Sequence, residues 1–116
     1  MKAILETFPN QYPGRPYEVH ITCPEFTAVC PRTGQPDFAT IRITYVPDQK
    51  IVELKSLKLY LQSYRDQGIF HEHVTNRILD DFVAASEPLR CEVVGDFNVR
   101  GGIKTVVTAR YERPQP

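Results

Sequence analysis

Residues 38–67, FATIRITYVPDQKIVELKSLKLYLQSYRDQ, change their periodicity halfway along. In Phe38–Val46, the residues Ala39, Ile41, Ile43 and Tyr45 alternate with Thr40, Arg42 and Thr44. A period of two is that of a half-buried strand. Asp48–Glu53 reads as a turn and then a short extension of the same sheet. In Leu54–Gln67 the apolar positions Leu54, Leu57, Leu61 and Tyr64 recur at steps of three and four, the spacing of one helix face, and Gly68 is a stop signal. Before this stretch, Tyr17, Val19, Ile21 and Cys23 alternate with polar residues as a first strand. After it, Glu72–Ser86 carries two adjacent rows, Val74, Ile78, Phe82 and Thr75, Leu79, Val83, that predict a second helix ended by Pro88. Strands return at Arg90–Arg100 and Ile103–Glu112, joined by a Gly101-Gly102 turn. The order strand, strand, helix, helix, strand, strand predicts an α+β fold with an antiparallel sheet and the helices on one face. A four-stranded sheet keeps two open edges, which invite pairing with another subunit.

The chain of 116 residues is expected to form a single domain over 1–116. Five of its ten prolines, Pro9, Pro13, Pro16, Pro114 and Pro116, lie in the tails, which read as extended arms. Fourteen basic residues balance fourteen acidic ones, and zero net charge argues against electrostatically driven nucleic-acid binding. No run approaches the ~18 apolar residues of a membrane span, and the amino terminus has no signal-peptide core. Cys23, Cys30 and Cys91 are odd in number and lack CxxC spacing, which fits reduced thiols in a cytoplasm. A chain this short buries only about two-thirds of its unfolded surface. A functional site shared between subunits fits so modest a core.

Three groups of residues carry chemistry. Cys23 and Cys91 keep step with inward-facing strand positions and read as packing residues. Cys30 lies instead in VCPRTGQPD, Val29–Asp37, where two prolines and a glycine preclude regular structure. A thiol there, beside Arg32, is either an incidental loop cysteine or a thiolate nucleophile, with Asp37 as proton donor or acceptor. In His71-Glu72-His73, Glu72 either only complements the helix dipole or forms a carboxylate–histidine pair that grips a guanine-like edge. Lys55 and Lys58 sit in the first turns of their helix, where the dipole disfavours cations by about 0.3–1 kcal/mol each. They are either a solvated face or part of a phosphate site that Arg100 joins. Neither GxGxxG nor GxxxxGK[ST] occurs, which excludes Rossmann and P-loop sites.

Three ordered motifs, CPRTGQPDF at Cys30–Phe38, ELKSLKLY at Glu53–Tyr60 and FHE at Phe70–Glu72, resemble those of the 7-cyano-7-deazaguanine reductases. These are the NADPH-dependent nitrile reductases of queuosine (tRNA-modification) biosynthesis, here in their short single-domain (QueF) form. The resemblance implies the tunnelling fold, whose subunits join their sheets into a barrel, often as stacked five-membered rings with sites between subunits. It implies Cys30 as the nucleophile that forms a thioimide with the substrate nitrile, and Asp37 as the acid that protonates the nitrile nitrogen. It further implies His71 as a substrate-binding residue that helps position the base or relays a proton, Glu72 as the grip on the purine-like edge, and Val52, Glu53 and Leu54 as substrate contacts. Lys55, Lys58 and Arg100 would meet the phosphates of NADPH, a co-substrate, with no metal involved. Two alternatives stand beside it. One is a zinc-dependent enzyme of the same fold resembling GTP cyclohydrolase I, with Cys30 and nearby histidines as ligands, and the other is a non-catalytic purine-binding protein.

Overall fold

The computed structural model of the protein describes residues 4–114, so Pro116 lies outside the described residues. Eight elements follow one another: β1 (Thr7–Pro9), β2 (Val19–Val29), β3 (Pro36–Val46), β4 (Lys50–Val52), α1 (Leu54–Gln62), α2 (His71–Ser86), β5 (Arg90–Arg100) and β6 (Ile103–Glu112). The four long strands form one antiparallel sheet in the order β2-β3-β5-β6. The α+β fold with its two central helices is the one the periodicities predict.

Register places Ile43 opposite both Ile21 and Val93, so one apolar layer crosses the sheet. Both helices pack onto that face. Leu57, Tyr60 and Leu61 of α1 and Val74, Ile78 and Phe82 of α2 join Ile41, Ile43, Tyr45 and Val93 in a single core. The Phe82 ring meets Tyr45 edge-on, with centroids 4.8 Å apart. Full burial of an aliphatic or phenyl side chain stabilises by about 1.5–3 kcal/mol, so this layer holds the helices in place. The opposite face carries cross-strand ion pairs instead, Arg42–Asp96 at 3.0 Å, Arg90–Glu18 at 2.7 Å and Arg110–Glu92 at 2.7 Å. Exposed pairs of this kind contribute at most about 1 kcal/mol each.

Four local expectations are corrected. The first strand does not end near Cys23 but runs on to Val29. The register steps from Cys23↔Ile41 to Phe26↔Ala39, so β2 carries one extra residue in a bulge at Pro24-Glu25. Proline cannot donate to a ladder and is tolerated at such a bulge, and the extra residue moves the inward phase from Cys23 to Phe26 and Ala28. Secondly, the amino-terminal arm is paired: β1 lies antiparallel to β4, and these two form a small sheet of their own rather than an extension of the main one. Thirdly, α1 stops at Gln62. The Ser63 hydroxyl donates to the carbonyl of Tyr60, and the following N–H groups bond at i−3, Tyr64 to Leu61 and Gln67 to Tyr64. A serine that competes for helix carbonyls and a switch to i−3 bonding tighten and end the helix. Lastly, Gly68 does not cap α1. It bridges to Val29, whose N–H donates to Gln67 O at 2.9 Å while Ile69 N donates back to Val29 O at 3.0 Å. The helix–helix connection is thereby tied to the residue that precedes Cys30.

Candidate active site

The loop between β2 and β3 is built by short-range bonds. The N–H of Cys30 donates to Gln35 O at 2.8 Å, Gly34 N donates to Cys30 O at 2.9 Å, and Gly34 takes a left-handed φ of 76°. Glycine meets no steric penalty in that conformation, so the turn closes tightly around the thiol. Gly68 lies against Pro31 from the other side, leaving only van der Waals room. Cys30 itself is half-buried.

The Thr33 hydroxyl, the backbone N–H groups of Arg32 and Thr33, and the Arg100 guanidinium all favour the thiolate. Together they bring the Cys30 pKa down from 9.0 to about 7. Cys91 shows the contrast, because burial in the core pushes its thiol up to about 12. The thiolate is the reactive form, so Cys30 is the activated thiol and Cys91 an inert one. Alkylation of Cys30 by iodoacetamide is expected to rise about tenfold per pH unit below pH 7 and to level off above it. An ordinary thiol goes on rising to pH 9. Mass-spectrometric rates at Cys30 between pH 5 and 9 check this, and an inflection near 9 would refute the activation.

Asp37 continues the inward row of β3, in phase with Ala39, Ile41 and Ile43, and only 5% of it is exposed. A buried carboxylate requires partners. It has two: Arg100 Nη1, from the end of β5, bonds Oδ1, and His71 Nε2, from the first turn of α2, lies 3.3 Å from Oδ2. Arg100 Nη2 also donates to Thr33 Oγ1 at 3.0 Å, which ties the acid to the thiol loop. Cys30, from the β2–β3 loop, thus converges with Asp37 of β3, His71 of α2 and Arg100 of β5.

The other predicted residues lie elsewhere. Val52 is buried in the core, and its N–H donates to Tyr45 Oη at 3.1 Å. Glu53 is the N-cap of α1, its carboxylate accepting from Lys55 N at 2.6 Å and Ser56 N at 2.8 Å. Those N–H bonds hold its carboxyl below the usual range. Two amides of the α1 terminus, those of Lys55 and Ser56, are therefore occupied by the Glu53 carboxylate, beside the exposed ammonium groups of Lys55 and Lys58. Both lysines are exposed and form no ion pair among the described residues. Leu54 is 62% exposed and, with Lys58, Cys23, Pro24 and Phe26, lines a groove of about 350 Å³ between α1 and the bulged edge of β2. No hydrogen bond, ion pair or ring contact joins this group to Cys30, Asp37 or His71 among the described residues. Glu72, next to His71, is exposed, and its carboxylate has no partner among the described residues.

Arg100 lies against Asp37 rather than beside the two lysines. Thr33 is the residue that sequence reasoning missed, and its place between the thiol and Arg100 leaves no trace in spacing alone. Asp37 is a further correction: the sequence placed it at the end of the irregular Val29–Asp37 loop, but it lies within β3 and shares the inward phase of Ala39 and Ile41. The histidines do not converge as zinc ligands would. His20 bonds Thr44 and Glu18 on the far face of the sheet, and His73 stands edge-on to Phe70.

Residues 36–116 match the family model described as QueF-like protein. A protein of Anaeromyxobacter dehalogenans, named NADPH-dependent 7-cyano-7-deazaguanine reductase, is 71% identical over 111 residues, 95% of this chain and 91% of that one. A protein of the same name from Thermomicrobium roseum is 70% identical over 109 residues, 94% of this chain and 85% of its own length. Among solved structures, the archaeosine synthase QueF-Like in its apo form superposes with a TM-score of 0.79, covering 87% of this chain and 99% of that chain. At 23% identity that likeness speaks for the fold alone.

Proposed function

The chain belongs to the family of QueF-like, NADPH-dependent 7-cyano-7-deazaguanine reductases, and from that premise we propose that it reduces the nitrile of 7-cyano-7-deazaguanine to the aminomethyl group. The observation that carries this reading is the thiol of Cys30, lowered to about 7, on a loop tied through Thr33 and Arg100 to a buried carboxylate. A nucleophile and a proton donor in one cluster are what addition to a nitrile needs.

Cys30 Sγ attacks the nitrile carbon. One π bond of the C≡N group breaks, an S–C bond forms, and the nitrogen takes a proton from Asp37, leaving a thioimide on Cys30. Two molecules of NADPH, bound in turn, would each supply one hydride to this carbon, with a proton reaching the nitrogen for each and Cys30 departing as thiolate between the two. Asp37 sits in a place to return to its protonated form through His71, 3.3 Å away. The exposed carboxylate of Glu72 accepts from the N1–H and exocyclic amine of the base. Two planar, charge-assisted hydrogen bonds of that kind are about twice as strong as neutral ones. Lys55 and Lys58 are assigned to the cofactor phosphates, and their chemistry fits, since both ammonium groups are exposed and unpaired among the described residues. Arg100 is assigned to them as well, and its bond to Asp37 makes it shared between the cofactor and the acid.

Glu53 and the exposed Leu54 complete the substrate site from a neighbouring subunit, with Val52 behind them in the core. The support is that no hydrogen bond, ion pair or ring contact joins this group to the Cys30 cluster among the described residues, while β2 and β6 leave open edges. We assign the assembly to stacked pentameric rings acting on a free base in the cytoplasm.

The reading is tested by stoichiometry. Two NADPH are expected to be consumed per nitrile, with the amine as product. One equivalent, with imine or aldehyde released, would contradict it. Glu72→Ala is expected to weaken substrate binding by about 10–100-fold, the scale of a lost bidentate charged contact. Unchanged affinity by calorimetry would remove Glu72 from base recognition.

A further inference from the structure

The His71 imidazole lies flat on the Phe97 ring, with centroids 3.8 Å apart and planes within 5°. Phe97 is 1% exposed and belongs to the core, so it meets no substrate. Its place is set from behind. Two residues earlier on the same face of β5, Gly95 has no side chain, and a Cβ there would come within 2.8 Å of Phe97 Cε2 and would also collide with the Thr75 hydroxyl. The absent side chain is the room into which both groups fit. Thr75 Oγ1 in turn donates to the carbonyl of His71 at 2.9 Å, fixing the first turn of α2 at the residue that carries the imidazole. The stack settles the plane of the ring, and in that plane Nε2 stands 3.3 Å from Asp37 Oδ2.

We infer that Phe97 is a positioning residue for the reaction, seated by Gly95 and Thr75, that holds the His71 imidazole in the plane from which Nε2 meets Asp37. It rests on the assignment of His71 and Asp37 to nitrile protonation. Without the phenyl face, rotation about the terminal torsion of His71 is opposed by little, because that torsion is intrinsically broad. The imidazole then faces Asp37 only part of the time. Substrate affinity is untouched, since Phe97 lies outside the binding surface.

The test is a double-mutant cycle with Phe97→Leu, which keeps apolar bulk but removes the flat face, and His71→Ala. In the wild-type background Phe97→Leu is expected to lower kcat about tenfold with KM changed less than about twofold, in line with the sensitivity of catalysis to small misplacements. In the His71→Ala background the same substitution is expected to change kcat less than about twofold, because the group it positions is gone. Equal losses of kcat in both backgrounds, or an unchanged kcat in the single variant, would overturn the inference and leave Phe97 as core filling. If the wild-type protein reduces no nitrile, the functional reading fails, and the stack is read directly instead. In protein labelled at histidine ring carbons, the ring-current shift of the His71 C–H signals should vanish in Phe97→Leu. Signals that do not move would overturn it.

Discussion

Cys30→Ala is expected to abolish the covalent adduct with the nitrile. Incubated with 7-cyano-7-deazaguanine in the absence of NADPH, the wild-type protein is expected to gain the intact mass of the nitrile. Addition of a thiol across a nitrile releases nothing. The alanine variant gains no mass, because neither Cys91, whose thiol is pushed up to about 12 in the core, nor Cys23 lies in the cluster. Turnover falls by at least about 10³-fold, the scale on which covalent catalysis collapses when its nucleophile is removed. Substrate affinity is expected to stay within a few-fold, because the proposed grip on the base is that of Glu72. An adduct that persists in the variant would move the nucleophile to another residue. The purine-binding alternative makes the opposite forecast for the wild type, with binding but no adduct.

Asp37→Asn is the second large effect. The amide keeps the shape of the buried side chain but can neither deliver a proton nor carry the charge that faces Arg100 and His71 once the proton is given up. Loss of a general acid costs about 10²–10⁴-fold in turnover. Calorimetric affinity for the nitrile is expected to change little. Cys30 should remain alkylable near neutral pH, because the groups that lower its pKa are led by the Thr33 hydroxyl and the loop amides rather than Asp37. Slow turnover with intact binding and an intact reactive thiol separates loss of the acid from loss of the fold. A variant that retains at least half the wild-type rate would show that the proton comes from elsewhere.

The course of the chain was legible because periodicity is a local property. Ile103–Glu112 and Arg90–Arg100 coincide with β6 and β5, since the alternation of Cys91, Val93, Gly95 and Phe97 holds until a register shift between Phe97 and Arg100, just before the Gly101-Gly102 turn. The misreadings fall where a local rule is interrupted. Pro24 hides the continuation of β2 behind a bulge, Ser63 ends α1 although Tyr64 keeps the apolar spacing, and β1 is a strand only because β4 lies beside it. Three residues pairing with three others give no sequence signal, as their hydrogen bonds depend on a partner more than forty positions away.

The same division runs through the site. The sequence alone determined the order of the elements, the thiol on a proline-bounded loop and the acid that follows it, and the His-Glu pair at the start of a helix. Those are matters of residue type and spacing. Only the tertiary structure decided that Arg100 reaches Asp37 across 63 positions, that Thr33 stands between that arginine and the thiol, and that Glu53 caps α1. It also decided that Phe97 backs His71. A charge or a ring acquires its role from whatever lies opposite it. What lies opposite is set by strand register and by the turns that bring the ends of β3 and β5 together with the first turn of α2.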